Sequence, residues 1–373
     1  MLFLVSSFLT TGVFGQGTGT APVNPPIGGM RIDGFLARQG AAGDWFAGAS
    51  PFNGALTFFF NPNGTSQYPS LLNKTLFWKT DAYKANGTTF NGPEDRFTQG
   101  SKLNQDPNDW TWDANNPQGK DDINNAFFAL VQDPNTQHWW ALMAGDRAAT
   151  NGTSYLDFEF LQAPITKNAN FTFTSAGPDS GRTVGDLDVT LSYTGGGNLA
   201  TASVFQWNPL NDGTFAYTSL TPVAGTVFVQ PNETQPTPFP GTSGAFGLDH
   251  YTDSLQFVEG ALDITALLGT GISTPCRALP FTSVFIKTVS SAQTTAEMKD
   301  FIAPFSINIC TDNTPPTITT TGTPANGQLG CNPTTAAIEA ALGTATATDN
   351  CSTPTVTSSD GSVTSTGCSR SQT

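Results

Sequence analysis

From Met30 to Cys310 the chain repeats one pattern, in which short apolar or alternating runs are separated by clusters of Gly, Asn, Pro and Asp. "ALTFFFN", "TLFWKT", "NNAFFALVQD", "HWWALMAGD" and "SYLDFEFLQ" read as strands, as do "DLDVTLSYT", "TASVFQWN", "GTVFVQP", "TSVFIKTV" and "FSINIC" further on. "DPNTQ", Asp133 to Gln137, has the turn chemistry of a tight hairpin link. One stretch departs from the pattern. "SLQFVEGALDITALLG" places Phe257, Val258, Ala261, Leu262, Ile264, Leu267 and Leu268 at helical spacing, which predicts a short helix ending near Gly269. "TTAEMKDFI" adds a possible further turn. Many short strands at regular spacing indicate a sandwich and exclude a βαβ architecture. The expected fold is therefore all-β: a large antiparallel β-sandwich, jelly-roll-like, with one or two short helices.

Composition sharpens the setting. Of 373 residues only 12% are charged, and 38% are hydrophobic, so surface polarity must come from Asn, Thr, Ser, Gln and Gly. With 28 Phe and 7 Trp the chain is no disordered polymer. A net charge of −14 and a pI near 4.3 argue against a nucleic-acid partner. The opening "MLFLVSSFLTTGVFG" is apolar, too short to span a bilayer, and reads as a signal peptide over residues 1–15. A buried first strand is the other reading of it. Residues 16–29 form a Gly/Pro/Thr linker. No later segment is long and apolar enough to span a membrane, so the expectation is an exported protein that is not membrane-embedded.

The composition shifts again at Cys310, where "CTDNTPPTITTTGTP" marks a module junction. The expected division is a β-sandwich domain over 30–311 and a partial module over 312–373. All five cysteines lie in the last third, and sequence alone does not fix their pairing. Cys276–Cys310 within the sandwich and Cys331–Cys351 in the module is the economical assignment. Cys368 is then left over, which leads us to expect that the natural polypeptide continues. "DNTPPTI" (Asp312–Ile318), "LGCNPT" (Leu329–Thr334) and "TATDNCSTPTVTSSDGSVTSTGCSRSQT" (Thr346–Thr373) resemble the immunoglobulin-like, hyalin-type repeats of large secreted Bacteroidota proteins. The preceding region resembles a domain near the start of such adhesin-like surface proteins. Here the similarity is carried by "IDGFLARQGAAGDWF", "GKDDINNAFFALVQD", "AGDRAATNGTSYLDFEFLQ", "GDLDVTLSYTGGG" and "PFTSVFIKTVSSAQTTAEMKDFIAPF". The resemblance implies export, modularity and a cell-surface location. It names no ligand.

Chemistry is sparse. Asp157 and Glu159 lie on one face of a strand whose Leu156, Phe158 and Phe160 face the core, so both acids are expected to point outward, to solvent, Arg147 or a cation. Their separation of about 6–7 Å along a strand approaches the roughly 5–5.5 Å of a retaining glycosidase. The concanavalin-like glucanases carry E-x-D-x-E on such a strand. Registering Asp157 on their Asp puts Tyr155 where the nucleophile is needed, so catalysis is not expected. Two histidines exclude a histidine-rich metal site, no G-x-S-x-G elbow occurs, and Gly195–Gly197 lies between strands as a turn. The loop "NQDPNDWTWDANNPQGKDD" crowds Asp106, Asp109, Asp113, Asp121 and Asp122 among Asn, Pro and Gly. It reads as a solvated loop with Asx turns and a helix N-cap, or as an oxygen-rich calcium site without EF-hand spacing. Trp110 and Trp112 in that loop are either buried anchors or a sugar-stacking pair. The reading that follows is a non-enzymatic adhesive or structural module of a surface protein, with a surface glycan or further copies of the protein as partner. A carbohydrate-binding domain is the alternative, and a jelly-roll glycosidase the least favoured.

Overall fold

In the computed structural model of the protein, the described residues are 30, 32–34, 36, 43–46, 57–61, 65–85, 88–90, 93–133, 135–193, 201–232, 255–269, 279–308, 315–321, 329–331, 333–334, 336–337, 341, 343–349, 354–357, 364–366 and 369–371. The expected signal peptide and linker, the Gly195–Gly197 turn, and Cys276, Cys310, Cys351 and Cys368 lie outside them. The chain divides into two compact units. One comprises Met1–Ser273 with Leu279–Ile309, the other Thr274–Ala278 with Cys310–Thr373.

The first unit is an antiparallel β-sandwich of two open sheets. Its smaller sheet has five strands, β1 (Leu76–Thr80), β4 (Asn125–Gln132), β5 (Trp139–Asp146), β10 (Val227–Pro231) and β11 (Phe257–Asp263), in the order β10-β11-β5-β4-β1. The larger sheet has eight. These are β2 (Arg96–Phe97), β3 (Trp112–Asp113), β6 (Ser154–Leu161), β7 (Leu187–Tyr193), β8 (Thr201–Pro209), β9 (Phe215–Leu220), β12 (Ser283–Val289) and β13 (Met298–Ser306), in the order β9-β8-β7-β6-β12-β13-β2-β3. The Asp133–Gln137 link closes the β4–β5 hairpin, with the Asp133 side chain accepting from Asn135 N.

Period-two alternation places the core between the sheets. Phe128, Leu130, Ala141 and Met143 from one sheet meet Leu156, Phe158, Val189, Val284 and Ile286 from the other. The intervening residues do not face water. On the outer face of the smaller sheet, Phe127, Trp140, Leu142 and Phe257 pack beneath Trp45, Phe46, Phe59 and Phe60. On the outer face of the larger sheet, Leu161, Phe285 and Phe301 pack beneath Phe97, Trp110, Ile165 and Phe173. The central strands of both sheets are therefore buried on both faces, and the cover comes from other parts of the same chain, Phe97 of the edge strand β2 included.

Two-sided burial explains where the helical reading of Ser254–Gly269 fails. Phe257–Asp263 is the strand β11, with Val258 and Leu262 turned to the inner core and Phe257 and Ala261 to the outer one. Apolar residues on both faces imitate helical spacing. Only Ile264–Leu268 is helical; Asp263 caps it by accepting from Ala266 N, and it stops at Gly269 at a φ of 94°. The stretch "TTAEMKDFI" turns only at Thr294–Thr295, and its second half, Met298–Ile302, is the first half of β13, paired with β12.

In the second unit, Thr317–Thr321 pairs antiparallel with Thr344–Thr348, and Thr364–Thr366 with Ser369–Ser371. Cys331 is exposed with a free thiol. Its expected partner Cys351 is outside the described residues. Among the described residues no helix is long and apolar enough to cross a membrane.

Candidate functional site

β6 brings Asp157 and Glu159 to the outer face of the larger sheet, as its alternation requires, but that face is closed. Both side chains are fully buried, which corrects the expectation that they meet solvent. Glu159 Oε1 accepts from Arg182 Nε at 2.6 Å and from the Tyr217 hydroxyl at 2.7 Å, while Oε2 accepts from Lys287 Nζ at 2.8 Å. Lys287 also reaches Asp188 Oδ1 at 3.3 Å. Strand register produces this meeting, because Glu159 stands opposite Asp188 on β7 and Asp157 opposite Lys287 on β12. Arg147 plays no part; its Nε donates to Leu255 O and its Nη1 to Gly152 O.

The charges balance. Burial alone would raise the Glu159 carboxyl, but Arg182 and Lys287 outweigh it and hold the group at about 2. Burial pushes Asp188 up to about 6, with Lys287 opposing. Asp157, buried beside Asp188, is driven well above the usual carboxylate range. The network sets Glu159 and Asp188 against Arg182 and Lys287, while burial and Asp188 favour the neutral form of Asp157.

Arg182 comes from the covering layer, and that gives the network its effect. Its Nη1 donates to Gln105 O and its Nη2 to Leu103 O, both at 2.8 Å, and its guanidinium lies 5.0 Å from the Trp110 ring and 4.6 Å from the Trp207 ring. The loop before it is tight. Gly177 bridges to Gly181, and a Cβ at Gly177 would stand 2.5 Å from Arg182 Cα. The smaller sheet has a counterpart. Glu259 on β11 accepts from the backbone N–H groups of Asp33 and Gly34, each at 2.6 Å, and from Trp45 Nε1 at 3.0 Å. On each outer face, one buried glutamate thus pins the cover to the sheet.

The 104–122 loop does not gather its acids. Asp106 caps a single 3-10 turn, Pro107–Asp109, by accepting from Asn108 N; Asp109 is exposed. Asp113 pairs with Arg96 at 3.2 Å and Asp121 with Lys120 at 2.8 Å, while Asp122 is buried beyond them. The five expected calcium ligands are therefore distributed, with Asp106, Asp113 and Asp121 each drawn to a local partner. Nor does Trp110 belong to an exposed platform. Its ring is fully buried among Phe97, Phe173 and Phe285, with Nε1 donating to Lys102 O. Trp112 is different. It is half-buried, its Nε1 donates to Asn168 O, Lys167 Nζ lies 4.0 Å over its ring, and Phe171 packs beside it at 4.8 Å while 51% exposed.

Carboxylates do converge elsewhere, at positions the sequence reading passed over. Asp81 follows β1, Glu94 precedes β2 and Asp300 lies in β13, and one carboxylate oxygen from each falls within 4.8 Å of the others. No spacing rule joins residues so far apart in the chain; the pairing of Asp300 with Arg96 brings Glu94 near, and Asp81 N donates to Asn124 O next to Ile123, whose N–H donates to Asp300. Compared with protein-family models, curated proteins and solved structures, the chain matches none of them.

Proposed function

We propose that the chain is a non-enzymatic module of a secreted or cell-surface modular protein, adhesive or structural in role. One observation carries the reading. The acidic pair on β6, the arrangement in this sequence nearest to a glycosidase, is sealed beneath the chain's own cover, with Glu159 committed to Arg182 and Lys287. A carboxylate that cleaves a sugar must reach the glycosidic oxygen or the anomeric carbon. Glu159 serves instead to hold layers together, and Asp157 is buried beside it. The resemblance of the 312–373 segment to immunoglobulin-like repeats of surface proteins supports the setting, as does the charge of −14, which suits an exterior facing solvent and cations. A surface glycan or further copies of the protein are the partners this reading expects.

Carbohydrate binding is the second reading, and Trp112 with Phe171 favours it. A half-buried indole beside an exposed phenyl ring, tilted 50° to it, puts aromatic surface at the solvent boundary for a sugar ring to stack on.

The test uses the full chain. Cell fractionation should recover it from the surface or the medium, and a polysaccharide panel should release no reducing ends. Recovery from the cell interior contradicts the surface reading. Retardation in a polysaccharide gel that disappears in Trp112→Ala promotes the second reading over the first.

A further inference from the structure

We propose that Asp81, Glu94 and Asp300 form a binding site for one divalent cation of the hard, oxygen-ligated class, calcium in particular. Their nearest carboxylate oxygens lie within 4.8 Å of one another. Oxygens held about 2.3–2.6 Å from a shared calcium are separated by at most about 4.6–5.2 Å, so the three can close on one ion without rearrangement of the backbone.

The independent observation is Glu94. It is only 5% exposed, and neither of its carboxylate oxygens has a hydrogen-bond partner among the described residues. A buried carboxyl with no donor is costly. The sequence places no obvious need for an acid there, since Pro93 and Asp95 flank it at the surface side of β2. Its neighbours compound the cost, because Asp81, Asp300 and the buried Asp122 surround it with like charge.

The other two acids are braced as ligands are. Asp300 Oδ2 accepts from Ile123 N at 2.7 Å and its Oδ1 from Phe301 N at 2.9 Å; Asp81 Oδ1 accepts from Ala82 N at 2.9 Å. Backbone donors of this kind fix a carboxylate's orientation while leaving lone pairs for a metal. Lys167, whose charge acts on Asp81, is already bonded to Asp95 and lies over the Trp112 ring. The ligand set holds no nitrogen or sulfur, which disfavours zinc and later transition metals. Magnesium requires near-ideal octahedral geometry and retains several waters, whereas calcium accepts irregular, carboxylate-rich sites. Burial of Glu94 and Asp300 leaves little room for a retained water shell. The ion would join the end of β1 to β13, tying the smaller sheet to the larger.

Isothermal titration of the full chain, stripped with chelator and titrated with calcium chloride, decides the matter. The parent should bind one calcium per site and bind magnesium more weakly. Glu94→Gln keeps the shape and breaks no hydrogen bond, yet it should weaken calcium by about 100-fold or more, since partners outside a ligand sphere already cost roughly 10–100-fold. If Glu94→Gln does not fold, Asp81→Asn carries the same expectation. Asp109→Asn, in the exposed loop, should bind as the parent does. No calcium binding by the parent overturns the proposal. So does binding that survives Glu94→Gln at parental affinity, binding lost in Asp109→Asn alone, or tighter binding of magnesium than of calcium.

Discussion

Arg182 Nε donates to Glu159 Oε1 at 2.6 Å, and neither side chain exposes any surface. Desolvation makes such a pair a poor source of net stability, but removing one partner strands the other charge. Arg182 also satisfies Leu103 O and Gln105 O, so its loss unties the loop around residues 103–105 from the sheet. Arg182→Met should therefore cost about 3–5 kcal/mol in urea denaturation. A cost under about 1 kcal/mol, the value of an exposed pair, contradicts the burial described above.

The same network sets a pH dependence whose sign follows from its shifts. Asp186, buried just before β7 and accepting from Gln162 N and Thr183 N, and Asp188 are raised from 3.8 to about 6, burial being the first cause in each. Above the unfolded value the unfolded chain has released these protons and the folded chain still holds them. Their contribution is therefore full below about pH 3.8 and declines as pH rises through about 6, at most about 1.4 kcal/mol per pH unit for each group. Glu159 acts oppositely, because its folded value of about 2 lies below 4.5; its contribution is present above 4.5 and is lost as pH falls toward 2. Asp186→Asn should flatten the decline between about pH 4 and 6, read from urea midpoints at several pH values. An unchanged slope counts against the shift.

Gly177 sets the position of Arg182. An added Cβ would meet Arg182 N, Cα and C at 2.5–2.6 Å, atoms that cannot rotate away. Gly177→Ala should cost about 1–3 kcal/mol, the range for overpacking, and thermal unfolding measures it. Parental stability would mean that the loop is not held as described.

Phe171 adopts a φ of 66° with its ring half in water. The left-handed conformation costs a non-glycine residue roughly 1–2 kcal/mol, while its ring contact with Trp112 returns about 0.5–1.5 kcal/mol. Phe171→Gly should consequently leave stability within about 1 kcal/mol of the parent. A larger loss would mean that the ring anchors the hairpin in which Ile165–Lys167 pairs with Phe173–Ser175, instead of presenting a surface.

Strand periodicity made much of the sandwich legible: the β4–β5 hairpin and the inward Leu156, Phe158 and Phe160 follow from alternation alone. The failures share a cause. Alternation tells which residues share a face but not whether a second layer covers the other one. Asp157 and Glu159 therefore looked solvated, and the two-sided apolar run of β11 looked helical. Arg182, the residue that closes the outer face, carries no local signal, because its partner lies across a loop and is fixed by tertiary packing. Trp110 and Trp112 are two apart and similar in sequence, yet one is a core residue and the other borders water. The Asp81, Glu94 and Asp300 cluster was invisible for a simpler reason: the chain brings it together only through sheet order.

Glu159→Gln, assayed for unfolding free energy and for reducing-end release from β-glucans, tests the structural role of the β6 acids most directly. With Arg182 and Lys287 left facing a neutral amide, the variant should lose about 3–5 kcal/mol, and neither it nor the parent should release sugar. A variant as stable as the parent, whose parent cleaves β-glucan and which has itself lost that cleavage, would contradict the account and make Glu159 a catalytic acid.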